Sequence, residues 1–144
     1  MTPNLVVQGG EALFLVNLVG GMLAAPTVGL FIDDVSPGKT ATKASFTTAT
    51  FTGSAPVVLV FGDPYLNTLG DWEILSQRVQ FNWTAGASET IFGFLVQDAG
   101  AGTALLFFGR LDAPKEMSTV ADALAIVIRF VFPSGGFGAS IEVS

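Results

Sequence analysis

The chain contains no histidine and no cysteine. The first absence removes the histidine-centred triad, the histidine metal site and the one side chain that ordinarily titrates near neutral pH. The second removes a thiol nucleophile and any disulfide, and it fits every redox compartment. Charge is scarce as well: Asp, Glu, Lys and Arg make up 12% of the residues, against about a quarter in an ordinary soluble domain. Six basic residues stand against 12 acids, for a net charge of −6. So few cations cannot track a phosphate backbone, and nucleic acid is not an expected partner. The first basic residue is Lys39, so no basic n-region precedes the apolar stretch 12–25 and no secretory signal is expected. Asn17 interrupts that stretch and Pro26 closes it, which leaves it too short to cross a bilayer, so no membrane association is expected either.

What is present is packing material. Half of the 144 residues are apolar and 17 are glycine. That length suits one domain, and a chain of this size buries about 70% of the surface its unfolded form exposes. The organisation expected is an N-terminal arm over residues 1–10 and a single β-sandwich domain over 11–144. High apolar content with little charge has two readings: strands buried on both faces, or apolar surface covered by another subunit. Depletion of charge is what assembly surfaces show.

The arm becomes strand-like at Leu5, Val6 and Val7. Residues 11–22 are ambiguous. Leu15, Leu18, Val19 and Met22 recur at helical spacing with Glu11 in a first turn, but Phe14 and Val16 spoil an amphipathic face, so a short helix and a strand both stay open. From Thr27 onward the pattern is β. Val28, Leu30 and Ile32 alternate, and Asp33-Asp34 with Ser36-Pro37-Gly38 make a turn. Lys39 to Thr52 is threonine-rich and places Phe46 and Phe51 on opposite parity, so a bulge or loop is expected to bring both rings inward. Val57 to Phe61 reads as a compact apolar strand, and Gly62 to Asp71 as a long surface loop. Ile74 to Thr84 reads as one half-exposed strand with Val79, Phe81 and Trp83 facing one way. Ile91 to Gln97 and Ala104 to Leu111 are apolar on both faces and flank a hairpin loop, and Pro114 to Ser118 breaks the pattern. Leu124 to Phe132 alternates, residues 133–138 turn, and Ile141 to Val143 suggest a last short strand. Seven or eight short strands predict an all-β, antiparallel β-sandwich, with jelly-roll-like wiring expected.

Chemistry-bearing candidates are few. Asp33 and Asp34 could offer oxygens to calcium, but no run of further ligands accompanies them, and turn initiation accounts for the pair. Asp71 and Glu73 flank Trp72 beside a loop that carries Tyr65. An exposed aromatic among carboxylates suits a carbohydrate or partner contact; the alternative is that Trp72 covers one end of the sandwich. Arg110 and Arg129 sit inside apolar strands. Each either meets solvent or an acid, or stands at a subunit boundary where a guanidinium suits a desolvated ion pair. Gly135-Gly136-Phe137-Gly138 does not lead into a helix, so it is no phosphate cradle. No carboxylate pair is defined well enough to run a glycosidase. The chain is therefore not expected to be an enzyme, and no metal or cofactor is expected.

One resemblance runs through residues 5–132. Gly10-Glu11 with the aliphatic run after it, Leu30-Phe31-Ile32-Asp33-Asp34-Val35-Ser36-Pro37, Thr50-Phe51-Thr52-Gly53-Ser54-Ala55, Thr90-Ile91-Phe92-Gly93-Phe94-Leu95-Val96, Leu105-Leu106-Phe107-Phe108-Gly109-Arg110-Leu111 and Ala121-Asp122-Ala123-Leu124 follow each other in the chain. This succession resembles a family of uncharacterised small virion structural proteins of bacteriophages and environmental viruses. Ser54, Phe92 and Phe94 stand where that pattern carries tyrosine, and Gly109 where it carries an acid before the arginine. These positions are drier, which weakens any carried-over ligand site. The resemblance implies a small virion structural protein of the head, neck or tail. The apolar, charge-poor sandwich with its arm adds the expectation of a decoration or cement protein on the capsid surface, made in the host cytoplasm. Its partner would be the major capsid protein or another virion protein. Excess apolar surface adds the expectation of a homo-oligomer, a trimer being the first choice, and an arm able to add a strand to a neighbour's sheet. The rival reading is a receptor- or carbohydrate-binding module of a tail or head fibre.

Overall fold

The computed structural model describes residues 5–6, 26–62, 65–70, 72–98, 104–132 and 138–143. The questions posed for 11–22, Val7 and Asp71 lie outside those residues. Ten strands are described: β1 (Leu5–Val6), β2 (Pro26–Phe31), β3 (Val57–Val58), β4 (Tyr65–Leu66), β5 (Trp72–Leu75), β6 (Val79–Asn82), β7 (Glu89–Asp98), β8 (Ala104–Met117), β9 (Ala123–Phe132) and β10 (Gly138–Val143). One sheet has the order β1-β8-β7-β2-β3 and the other β10-β9-β5-β4, with β6 also paired to β9. Every strand pairing is antiparallel. The fold is an all-β antiparallel sandwich. Some neighbours in sequence are neighbours in a sheet (β2–β3, β4–β5, β7–β8, β9–β10), and this wiring does not confirm a jelly roll.

The core between the sheets takes Val28 and Leu30 from β2, Phe94 and Val96 from β7, and Leu106 from β8. They meet Val79 and Phe81 from β6 and Leu124, Ile126 and Ile128 from β9. The period-2 alternation of β9 and β6 supplies this face, as alternation should in a half-covered sheet. A second apolar layer lies on the other side of the first sheet. Phe31, Leu95, Leu105 and Phe108 are buried there under Ala41 and Phe46, with Val35 and Phe92 at its margin. The cover is the segment that follows β2. It holds a 3-10 turn at Lys43–Ser45, then returns beside β2 through Ile32 N to Thr47 O (2.9 Å) and Ala49 N to Leu30 O (3.0 Å). Phe46 packs between Phe31 and Phe108, with ring centroids 4.8 and 5.0 Å away. The parity conflict between Phe46 and Phe51 thus resolves without a shared core: Phe46 enters the outer layer and Phe51 the inner one. The β7–β8–β2 part of the first sheet is buried on both faces, which is why β7 and β8 show no alternation.

Several boundaries differ from the sequence pattern. The expected single strand over 74–84 is two strands. Ser76 interrupts it by accepting the Ile128 amide on its side-chain oxygen (2.8 Å) while its own amide donates to Ile128 O (2.8 Å). The chain thereby shifts from one half of β9 to the other. The expected break at Pro114 is absent, because β8 continues to Met117. Ile91 pairs with Lys115 and Gly93 with Arg110, so residues 111–114 bulge opposite Phe92. A proline without an N–H is tolerated at such a bulge. The same irregularity lets Ile91 join Phe94 and Val96 in the inner core despite its opposite parity. The loop expected over 62–71 contains β4, and the last strand begins at Gly138 rather than Ile141.

Candidate functional site

Among the described residues, most of the large exposed apolar side chains lie on a ribbon formed by segments 57–62 and 65–77. Val57–Val58 pair with β2 in the first sheet. The chain then crosses to the second sheet, where Phe61 bridges Ser76 and Gly62 N donates to Leu75 O (2.9 Å). The Gln77 side chain fills the gap between them: Oε1 accepts from Val60 N (2.7 Å) and Nε2 donates to Val58 O (3.0 Å). Farther out, β4 pairs with β5 in the register Tyr65 to Glu73 and Leu66 to Trp72. Asn67 turns the tip, accepting Leu69 N on Oδ1 (2.9 Å), and Gly70 follows at a positive φ of 82°.

Leu59 is buried, while Val58, Val60, Tyr65, Leu66 and Leu69 are 49, 62, 41, 56 and 84% exposed. A run of large exposed apolar groups on one ribbon is uncommon on a monomer. The pairing brings Tyr65, Trp72 and Glu73 together on one hairpin, as the sequence suggested; Asp71 is outside the described residues. The exposed valines and leucines were not singled out by sequence reasoning. Val58 and Val60 alternate with Leu59 and Phe61, and this period-2 signal is hidden because all four types are apolar.

The two arginines are placed differently. Arg110 on β8 is tied within the chain: its Nη1 donates to Val35 O (2.9 Å) and Ser36 Oγ (3.4 Å), and its Nη2 pairs with Asp34. Its guanidinium also lies 5.9 Å from the Phe92 ring centroid. Asp34 thus holds a cation, and Asp33 Oδ1 accepts Thr47 N (2.9 Å). Asp34 pins the covering segment to the sheet, and Asp33 closes that segment on itself, in keeping with the turn reading. Arg129 is half-buried on β9, in register with Leu75 and Ser140.

Other carboxylates do similar work. Glu89 accepts Thr50 N (2.7 Å), Phe51 N (2.8 Å) and Thr50 Oγ1 (3.1 Å). Asp122 accepts Ser118 N (2.8 Å) and Thr119 N (2.9 Å) across the β8–β9 turn. Those two amides, Ser118 first, hold the Asp122 carboxyl below its ordinary value of 3.8. Among the described residues, no group of three or more His, Cys, Asp or Glu could hold a metal ion, and no helix is long and apolar enough to cross a membrane. No protein-family model, curated protein or solved structure matches the chain.

Proposed function

We propose that the chain is a non-enzymatic structural protein of a bacteriophage particle, a capsid decoration or cement protein that works through subunit contacts as a homo-oligomer. The observation that carries this reading is the exposed apolar ribbon, Val58 to Leu69, beside a first sheet whose β2, β7 and β8 apolar residues are covered by the chain itself. Described acids such as Asp34, Glu89 and Asp122 are engaged in holding turns. Burial of the ribbon against the major capsid protein would remove apolar area from water at about 25 cal/mol per Å². The resemblance to small virion proteins points to the same setting. The test is the copy number in purified particles, measured beside a Leu66→Asp, Leu69→Asp variant. Hundreds of wild-type copies and a sharp loss for the variant support a shell component; unchanged variant occupancy removes the ribbon from the contact.

A second reading is a receptor- or carbohydrate-binding module. It is favoured by the register that sets Tyr65 opposite Glu73 and Leu66 opposite Trp72. A glycan screen with Trp72→Ala as control decides it: binding that disappears with Trp72 selects this reading over the first.

A further inference from the structure

The first sheet has an edge without charged protection. Its outermost strand, β1, is two residues long and pairs Leu5 with Phe108 and Val6 with Phe107 on β8. The half of β8 that receives it, Ala104 to Gly109, carries no charged side chain, and residues 1–10 carry none either. Natural sheets guard such edges with lysines, inward charges or prolines, since open N–H and C=O groups accept any extended segment. On β8 the charges begin only at Arg110, and Pro114 lies in the bulge beyond. The segment that does cover the uncharged half is joined to β2 through residues 7–25. That length permits a reach of up to about 60 Å when fully extended. Nothing in the pairing itself distinguishes a chain's own arm from the same arm of a second copy, since main-chain hydrogen bonds are blind to which chain supplies them.

We propose that the Ala104–Gly109 edge of β8 is a strand-exchange site whose occupant in the assembled state is the Leu5–Val6 strand of a second copy of this chain. The proposal deepens the assembly reading above and rests on it for its setting. In dilute solution the tether keeps each arm near its own edge at about millimolar effective concentration. Neighbours packed on a shell face one another at comparable concentrations, so the arm transfers there without a change in the edge it occupies. Reciprocal exchange closes a symmetric contact and adds one tether for each copy.

The chain lacks cysteine, so engineered thiols report the exchange directly. Full-length Val6→Cys and Phe107→Cys chains are mixed at about 1 mM, oxidised and run without reductant. Cross-strand partners in a sheet lie within disulfide reach. The expected result is a cross-linked heterodimer whose yield rises with concentration, at least tenfold above a Val6→Cys and Thr48→Cys control. Leu5→Cys with Phe108→Cys is the second pair should Phe107→Cys fail to fold. Native mass spectrometry of mixed isotope-labelled and unlabelled chains is the measurement free of core substitutions. Mixed oligomers should form at that concentration and be lost with Val6→Pro, which removes a ladder donor. Yields equal to the control, or mixed oligomers indifferent to Val6→Pro, overturn the proposal. Failure here with normal occupancy on particles removes strand exchange and leaves the virion role; exchange without attachment to particles does the reverse.

Discussion

The β7–β8 hairpin and the 57–77 ribbon are built from similar material and meet opposite fates. Both are antiparallel and rich in Val and Leu. In the hairpin, Phe94, Val96 and Leu106 enter the inner core while Leu95, Leu105 and Phe108 are covered from outside by Phe46 and Ala41. In the ribbon, Leu59 is buried and Val58 and Val60 face solvent. The difference is not in the strands. It lies in a covering segment, residues 32–50, fastened over one sheet by Arg110 with Asp34 and Val35, with no counterpart among the described residues over the ribbon. Hydrophobicity of a strand therefore reports that it needs a cover, and the loops decide whether the cover comes from the same chain.

The sharpest way to break the comparison is to strip the cover. Phe46→Ala removes the ring held between Phe31 and Phe108 and should cost about 4 kcal/mol, read as a lowered urea midpoint together with increased dye binding to exposed apolar surface. Next is Gly93→Ala. A Cβ there would lie 2.2 Å from Gly109 O and 2.4 Å from the Phe31 ring. Overpacking of this kind costs about 3 kcal/mol, and the same denaturation curve measures it. Glu89→Ala releases two amides and a hydroxyl of the 50–51 turn and should cost about 1–2 kcal/mol. Leu69→Ser on the ribbon should change stability by less than about 0.5 kcal/mol while weakening attachment to particles. If Leu69→Ser destabilises as much as Phe46→Ala does, the ribbon belongs to a core and the contrast fails.

The smallest effect concerns acid. The folded-state pKa of Asp122 lies below its unfolded value of 3.8, so its contribution is fully present above that value and is lost as pH falls through the folded pKa. Asp122→Asn should flatten the stability-against-pH curve below about pH 4 and leave its neutral-pH portion parallel to wild type. An unchanged acid limb would show that the Ser118 and Thr119 amides do not hold the carboxylate in solution.

How much could be read beforehand follows from where the signal resides. The alternation in 124–132 and at Val79 and Phe81 is a local, period-2 property, and it survives in β9 and β6. The all-β class and the turn at Asp33-Asp34 were legible for the same reason. The division at Ser76 was not, because it depends on a hydroxyl meeting Ile128, which is remote in sequence. Pro114 misled because a bulge opposite Phe92 makes its missing donor harmless, and register is set by the partner strand. At the candidate site, Tyr65, Trp72 and Glu73 were placed together by their nearness to a turn. The larger exposed surface was missed, since apolar composition alone cannot tell Leu59 from its neighbours Val58 and Val60.

The segment that begins on β2 at Val57–Val58 and ends against Leu75 and Ser76 belongs to both sheets at once. Its mechanical consequence is that the two layers are stitched along one side by a continuous backbone. A load that pulls them apart at that seam must shear ladder bonds in both layers together.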